Sequence, residues 1–511
     1  MKQLRPILTG LGAGKRAQPR VAVLLGASFS FALLAAAFFF ALLSAAPLQA
    51  ATPTYANNGV SCSNSQNAQT ITSYTCRLPN VTGSGNALIA FAQWGTTSVT
   101  GTVSDDKSNT WTQNVCVSGN QKVCGYFALN VASGTRVLTL TLSAATTFVS
   151  LAAYEFYNVA TSSATDGTCT ASGSGTSVAC GSAITTTVAS DLILFGAVQD
   201  TSGATITSWT AGASPWQMRT ADDLDSFAME YQVQTSAGSI TPSMTMSPTD
   251  HFDGVAMALK SAAAGTAPAA GIRLAYIQHN AFPANSTNPR TWSIQFPCSG
   301  NLLVDAWIGV QAYDITSITD GNSNTHTQIG SAFNNSGSGD LQFFHADNAT
   351  CTSGMSLTVH TTSTDISGST LELLDVVGAA AAPFDATAGR VNCSGNQTVA
   401  GNLTGCTITP STASGLVLSE LGVASNTVNG DSPGNFLSAI PSPISSPDHT
   451  DQNNGWNINY NASATAETDT WTQQGGAFGN WASSVVAFEA PPSSTPGAGL
   501  SKRKKLEQLD P

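Results

Sequence analysis

An all-β fold in two tandem copies is what this sequence predicts, and three observations carry the prediction. Apolar and polar residues alternate in Val137-Leu138-Thr139-Leu140-Thr141-Leu142 and in Ser356-Leu357-Thr358-Val359, the two-residue period of a strand with one wet face. Only 9% of residues are charged, against about 25% in ordinary domains, so Ser, Thr, Asn, Gln and Gly must cover the surface. Wet strand faces accept that composition, whereas exposed helix positions favour Lys and Glu. Finally, Asn86–Gln113 aligns without a gap on Asn301–Gln328, at an offset of 215 residues.

The first element is residues 1–50. They hold five bases (Lys2, Arg5, Lys15, Arg16 and Arg20), no acid, and an apolar stretch from Val21 to Ala46. This is the pattern of an export signal, with small residues at Ala50-Ala51 where a peptidase would cut. The apolar stretch is also long enough to stay as an uncleaved anchor. Either way the rest of the chain is expected outside the cytoplasm, secreted or at the cell surface, and membrane contact is expected only through an uncleaved leader.

Copy 1 is expected over residues 54–262 and copy 2 over 272–489, joined by a small, flexible linker at 263–271. The match returns where Ala189-Ser190-Asp191-Leu192-Ile193-Leu194 meets Ala413-Ser414-Gly415-Leu416-Val417-Leu418, and again where Val255-Ala256-Met257 meets Ser484-Val485-Val486. The offset drifts, as loop insertions allow. Each copy is about twice the length of an immunoglobulin module of roughly 100 residues. The expected form is therefore an antiparallel β-sandwich of jelly-roll or lectin-like type, with ten or more strands per copy. Two smaller sandwiches per copy, four in all, is the alternative, and no half-length repeat supports it. Residues 490–511, rich in Pro and Ser and then basic, are expected to be disordered.

All ten cysteines follow the leader. Cys169 and Cys180 stand before one apolar run as Cys393 and Cys406 stand before its counterpart, so one bridge is expected in both copies. Pairing of sequence neighbours adds Cys62–Cys76, Cys116–Cys124 and, by elimination, Cys298–Cys351. An exported chain favours such bridges, and no Cys-x-x-Cys or clustered Cys/His spacing suggests zinc.

Leader and tail carry half of the 18 bases, leaving nine in residues 51–489 against 28 acids. A body this acidic excludes nucleic acid as a partner, because phosphate binding needs clustered Lys and Arg.

The repeat is sharpest in Val103-Ser104-Asp105-x-x-Ser108-Asn109-Thr110-Trp111-Thr112 and Ile318-Thr319-Asp320-x-x-Ser323-Asn324-Thr325-His326-Thr327. The motif resembles a strand-turn-strand signature of uncharacterised secreted bacterial proteins with tandem β-sandwich domains. That resemblance implies the fold and export and brings no activity. His326 stands where an aromatic is usual, which questions a shared role for that side chain.

Asp320, Asn322 and Asn324 alternate as calcium ligands do, but Lys107 interrupts the same pattern in the other copy and no acid closes either loop. An Asp capping its own turn, with Asn109 or Asn324 left-handed, is the expected reading. Glu155 and Asp375 occupy matching places after apolar strands and are the candidate catalytic carboxylates, with Asp105 or Asp320 as a partner only if the fold brings them together. A glycosidase needs two facing one bond, and each copy offers one. Trp209, Trp216, Trp456 and Trp471 lie in polar, Gly-rich surroundings, where aromatic faces can stack on sugars. The six histidines are scattered and expected at the surface. No nucleophile elbow, phosphate loop or cofactor motif occurs.

The functional expectation is an exported non-catalytic binding or structural protein at or outside the cell surface. Its expected partner is a polysaccharide or another envelope component, and no cofactor is expected. A polysaccharide-active hydrolase or lyase and a purely structural envelope component are the alternatives.

Overall fold

A computed structural model describes residues 51–491 apart from 64–69, 201–207, 222–226, 269–270, 282–287, 295, 310–312, 336–338, 353, 365–368, 424–426, 430–436, 439–452, 475–476 and 478. The expectations for the leader and the tail beyond 491 lie outside the described residues. Within them every element is a strand, and every pairing is antiparallel.

The first eight strands are β1 (Thr54–Ser63), β2 (Ile71–Arg77), β3 (Ala87–Trp94), β4 (Gly101–Asp105), β5 (Trp111–Ser118), β6 (Lys122–Ala128), β7 (Val137–Thr146) and β8 (Ser150–Tyr157). They form a five-stranded sheet in the order β1-β8-β3-β6-β5 and a three-stranded sheet in the order β2-β7-β4. The next eight are β9 (Thr165–Ala179), β10 (Ile184–Thr185), β11 (Asp191–Asp200), β12 (Ser208–Thr210), β13 (Gln217–Ala221), β14 (Phe227–Gln234), β15 (Ser239–Ile240) and β16 (Ser243–Leu259). Here β9, β16, β11, β14 and β13 repeat the five-stranded order, β10 pairs with β15, and β12 pairs with the start of β16.

Copy 2 repeats both halves. Its first eight strands are β17 (Arg273–Ala281), β18 (Arg290–Ser293), β19 (Leu302–Gly309), β20 (Ile315–Asp320), β21 (Thr327–Asn335), β22 (Gly339–Asp347), β23 (Ser356–Thr361) and β24 (Thr370–Val377). The last eight are β25 (Arg390–Gln397), β26 (Leu403–Ile408), β27 (Gly415–Val423), β28 (Thr427–Asn429), β29 (Leu437–Ser438), β30 (Asn453–Ala462), β31 (Glu467–Gln474) and β32 (Gly479–Phe488). Both sets give the same five-plus-three order.

The strand order thus recurs four times, at half the length of the sequence repeat. One backbone feature marks each recurrence. The turn before each third strand contains a left-handed residue: Gly85, Ser190, Gly300 and Ser414, with φ of 78°, 66°, 81° and 67°. Only small residues hold the position, as the steric cost of that conformation requires. A small residue and a burial pattern are shared between halves, but not a run of identities, so the half-length repeat is hidden from sequence comparison.

The layers explain why the halves come in pairs. All eight residues of β3 are buried. Leu88, Ala90 and Trp94 face the three-stranded sheet and join Cys76, Leu138 and Leu140 in one core. Ile89 and Phe91 point the other way and join Tyr154 and Phe156 to Leu192, Leu194, Met229 and Met257 of the second half. The contact is close, since a Cβ on Gly196 would lie 2.5 Å from the Phe91 ring. The second half buries its other face around Ile193, Phe195, Trp209, Met244 and Met246. Copy 2 is stacked likewise, with Val304, Ile308 and Phe343 against Leu416, Leu418 and Val486. A strand buried on both faces reads as an unbroken apolar run, and each large apolar side chain so buried contributes about 1.5–3 kcal/mol.

All five expected disulfides are present: Cys62–Cys76, Cys116–Cys124, Cys169–Cys180, Cys298–Cys351 and Cys393–Cys406. The bridge seen in sequence at Cys169 and Cys393 also exists at Cys62, since each joins the first strand of an eight-strand set to its second strand or the approach to it. Five bridges indicate folding in an oxidising, extracytoplasmic setting.

Within the linker one residue is hydrogen-bonded to copy 1. Thr266 is clipped to copy 1 through both main-chain groups, its N–H donating to Asn86 Oδ1 at 2.6 Å and its carbonyl accepting from Asn86 Nδ2 at 3.0 Å. Its hydroxyl donates to the Ser84 carbonyl at 3.0 Å.

Candidate functional site

The turn after β4 is built on Asp105. Its Oδ1 accepts the Lys107 and Asn109 N–H groups at 2.9 and 3.1 Å, and its Oδ2 accepts Asn109 Nδ2 and the Trp111 indole N–H at 3.0 and 2.7 Å. Asp320 repeats the geometry, accepting Asn322 N and Asn324 N at 3.0 Å each and Asn324 Nδ2 at 2.6 Å. The side chains of Asn322 and Asn324 both donate to the Thr350 carbonyl. The alternating oxygens therefore serve the turn itself. One detail differs from expectation: Ser108 and Ser323, at φ 57° and 60°, take the left-handed conformation, and Asn109 and Asn324 do not.

His326 keeps the role of Trp111. Its Nε2 lies 3.1 Å from Asp320 Oδ2, where the indole N–H reaches Asp105. Its Nδ1 lies 2.6 Å from Asp305 Oδ2, and His326 and both carboxylate side chains are 0% exposed or nearly so. This corrects the surface reading of that histidine. Burial pulls the imidazole pKa down, but the charge and hydrogen bond of Asp305, with those of Asp320, outweigh it and lift it to about 9. Asp305 stands where copy 1 has Ala90. An apolar pair, Ala90 and Trp111, has thus become a charged one, Asp305 and His326. The paired change was visible in the aligned repeat, and reading His326 alone missed it.

Glu155 and Asp375 are equivalent in register, pairing with Leu88 and Leu303, the second residues of their third strands. Both are buried at 2% exposure. Glu155 accepts Asn58 Nδ2 at 2.7 Å, Gly83 N at 2.8 Å and Asn86 Nδ2. Asp375 accepts Ser299 N at 3.0 and 3.1 Å and Ser299 Oγ at 2.7 Å. Each acid fastens the segment that leads into the third strand. Burial raises the Glu155 pKa against the pull of these donors and Arg273. Burial pushes Asp375 up to about 7, with Ser299 and Arg219 opposing.

The fold brings both acids to the seam where β1 meets β17. Arg219 of copy 1 lies in the field of Asp375 of copy 2, and Arg273 of copy 2 in that of Glu155 of copy 1. The Arg219 guanidinium stacks over Tyr55 at 4.7 Å and Tyr231 at 5.2 Å. Thr220 Oγ1 links Tyr154 OH at 2.6 Å to Tyr276 OH at 3.1 Å, and Asn80 Nδ2 donates to the Leu274 carbonyl. A cavity of about 20 Å³ remains beside Tyr55, Arg219, Tyr276 and Asp375. That is room for about one water and no sugar ring.

The four tryptophans fare differently. Trp209 and Trp471, at 3% and 0% exposure, are core residues and offer no ring face to a ligand, which corrects their reading as binding residues. They are buried because each strand faces an inner sheet. Trp216 packs at the edge of the same core as Trp209 and is partly exposed. Trp456 lies in β30, and its side chain falls outside the described residues.

The exposed faces of the outer sheets carry rows of hydroxyls that the sequence reading did not single out. Thr75 and Thr139 meet at 3.3 Å, with Ser104 opposite Thr139 on the far side. Ser73, Thr141 and Thr102 form the next row. Thr291 and Thr358 meet at 2.7 Å with Thr319 beyond, and Thr407 and Thr468 at 2.6 Å. All three contacts join second and seventh strands of their sets. Threonine is an apt residue for a wet strand face, and cross-strand Thr pairs add about 0.2–1 kcal/mol. No protein-family model matches the chain, and no curated protein is significantly similar to it.

Proposed function

We propose that the protein is an exported, non-catalytic module of tandem jelly-roll β-sandwiches that binds an uncharged polysaccharide of the envelope or its surroundings. The observation that carries this reading is the set of hydroxyl rows on the outer sheets. Hydroxyls donate and accept at once, as sugar hydroxyls do, and their spacing of about 4.8 Å between strands presents a regular face. The strand pairing first-eighth, second-seventh and third-sixth supports the jelly-roll assignment, as does the eight-strand count. Five disulfides support work outside the cytoplasm. The acids that could have served a hydrolase, Glu155 and Asp375, are buried and occupied by their own loops.

The test is co-sedimentation of the mature chain with insoluble neutral polysaccharides, chitin and cellulose among them. Thr139→Glu and Thr358→Glu place a charge in the rows without touching the core, and a several-fold loss of bound protein is expected. If the unaltered chain stays in solution with every neutral polysaccharide, the binding reading fails and the structural-component reading replaces it.

A further inference from the structure

The second eight-strand set holds a cluster that its counterparts lack. Asp191 follows the left-handed residue before β11, the place taken by Asn86 and Asn301 in the first and third sets. Those asparagines are neutral clips. Asn86 holds Thr266, and Asn301 exchanges hydrogen bonds with Ala379 at 2.6 and 3.3 Å. Asp191 is instead a carboxyl group at 0% exposure, with no donor to either oxygen among the described residues. It faces a second carboxyl, Asp166, on β9. Asp166 is held by the Thr187 N–H and by the Thr187 hydroxyl, the latter at 2.6 Å. Lys260, directly after β16, brings its Nζ to 3.5 Å from Asp166 Oδ1. Only three lysines occur in residues 51–491, Lys107, Lys122 and Lys260, and this one is aimed at a buried carboxyl pair. Its main chain is fixed by a bond from its N–H to the Ala164 carbonyl at 2.7 Å and by one from Ala160 N to its carbonyl at 2.9 Å.

We propose that Lys260 and Asp166 condense to an intramolecular isopeptide bond, with Asp191 as the proton shuttle. Lys260 gives a proton to the carboxyl pair and its free amine attacks Asp166 Cγ. The new C–N bond forms and one C–O bond of Asp166 breaks. Of the three protons on the ammonium, one stays on the amide nitrogen and two leave with the departing oxygen as water. Asp191 accepts and returns a proton and is unchanged, so no oxidant or co-reactant enters. Thr187 steadies the carboxyl under attack.

The setting favours this outcome. Two facing carboxyls hold one proton between them, because both cannot ionise at close range. Burial, then the facing Asp166 carboxyl, lifts Asp191 to about 7, while Asp166, despite its own burial, is held at about 2 by the facing Asp191, by Thr187 and by Lys260. The proton thus rests on the buried partner, ready to pass to an Asp166 oxygen as it leaves. The reaction replaces an ion pair by a neutral amide, and the Asp166 side chain is 4% exposed. The Lys260 side chain is 34% exposed, so the desolvation cost that the reaction removes is that of the Asp166 carboxylate. The bond would join β9 to β16, the first and last strands of their set.

Intact-mass measurement of the exported chain decides the matter without any binding assay. The unaltered protein is expected to be lighter by one water than its Lys260→Arg variant, after allowing for the substitution. Peptide mapping should recover a branched peptide containing Lys260 and Asp166. Asp191→Asn keeps the shape of the shuttle and should restore the full mass in a chain that still folds by circular dichroism. A full mass in the unaltered protein overturns the proposal, as does a water loss that persists in Lys260→Arg.

Discussion

His326 shows how one residue can be replaced in kind and kept in function. Copy 1 closes its Asp turn with an indole N–H, copy 2 with an imidazole N–H that needs Asp305 to stay charged. The folded pKa of about 9 lies above the ordinary 6.5, so the stability it contributes is complete below 6.5 and is lost as pH rises through 9. Unfolding midpoints of the full chain should fall over that range, and the fall should vanish in a His326→Trp, Asp305→Ala double variant that installs the copy 1 arrangement. His326→Ala alone should cost about 3 kcal/mol, since it leaves Asp305 buried without its partner. Asp105→Ala is expected to cost about 1 kcal/mol, as loss of a local cap does, and Asp320→Ala more, because it also strands the imidazolium. Neither turn should respond to calcium: melting with calcium and with EDTA should coincide, whereas a calcium site would add about 2.7 kcal/mol at a hundredfold excess over its Kd.

At the scale of elements, the third strands govern the architecture. Ala87-Leu88-Ile89-Ala90-Phe91 has no polar face, so an isolated eight-strand set would leave Ile89, Phe91, Tyr154 and Phe156 in water. Residues 51–160 alone are therefore expected to aggregate, while 51–268, which holds both halves, gives a cooperative unfolding transition under oxidising conditions. Soluble, folded 51–160 would show that the paired layers are dispensable. The sequence made the strands legible through their two-residue period, and the cysteines through their place relative to apolar runs. It also carried the 215-residue repeat, because loop and strand residues recur together there. It concealed the halving, since the two halves share a left-handed turn residue, a burial pattern and, in copy 1, a disulfide from the first strand to the second or its approach, and little else. Trp209 and Trp471 misled because their polar neighbours are the outward residues of the same strands, and the ring between them points inward.

Across the whole molecule, the two copies are fastened by a buried seam of few charges. Asp375, at about 7 when folded against 3.8 ordinarily, must give up its proton there as pH rises. Its contribution is complete below 3.8 and lost as pH climbs through 7, so the chain should be more stable at mildly acidic pH than above neutrality. Asp375→Asn should flatten that part of the stability profile, and an unchanged slope in the variant would remove the acid from the account. Arg219→Ala takes away the stacking cation and is expected to cost about 2–3 kcal/mol, chiefly through packing lost over Tyr55 and Tyr231. The seam was the least legible feature of the sequence. Glu155 and Asp375 stood out as matching positions, but nothing in one chain signals that Arg219 and Arg273 reach them from the opposite copy.

The pairing of first with last strand has a mechanical side. In each set the chain comes in beside the place where it leaves: Thr54 opposite Tyr157, Thr165 opposite Leu259, Arg273 opposite Val377, Arg390 opposite Val486. Tension along the chain would load the rungs of that ladder one after another, as a zipper is opened, and would not shear them all together. A tether built this way gives under small force unless something bars the first rung. Lys260 and Asp166 stand beside the outermost rung of the second set, so a covalent link between them would turn the weakest place under load into one that cannot open.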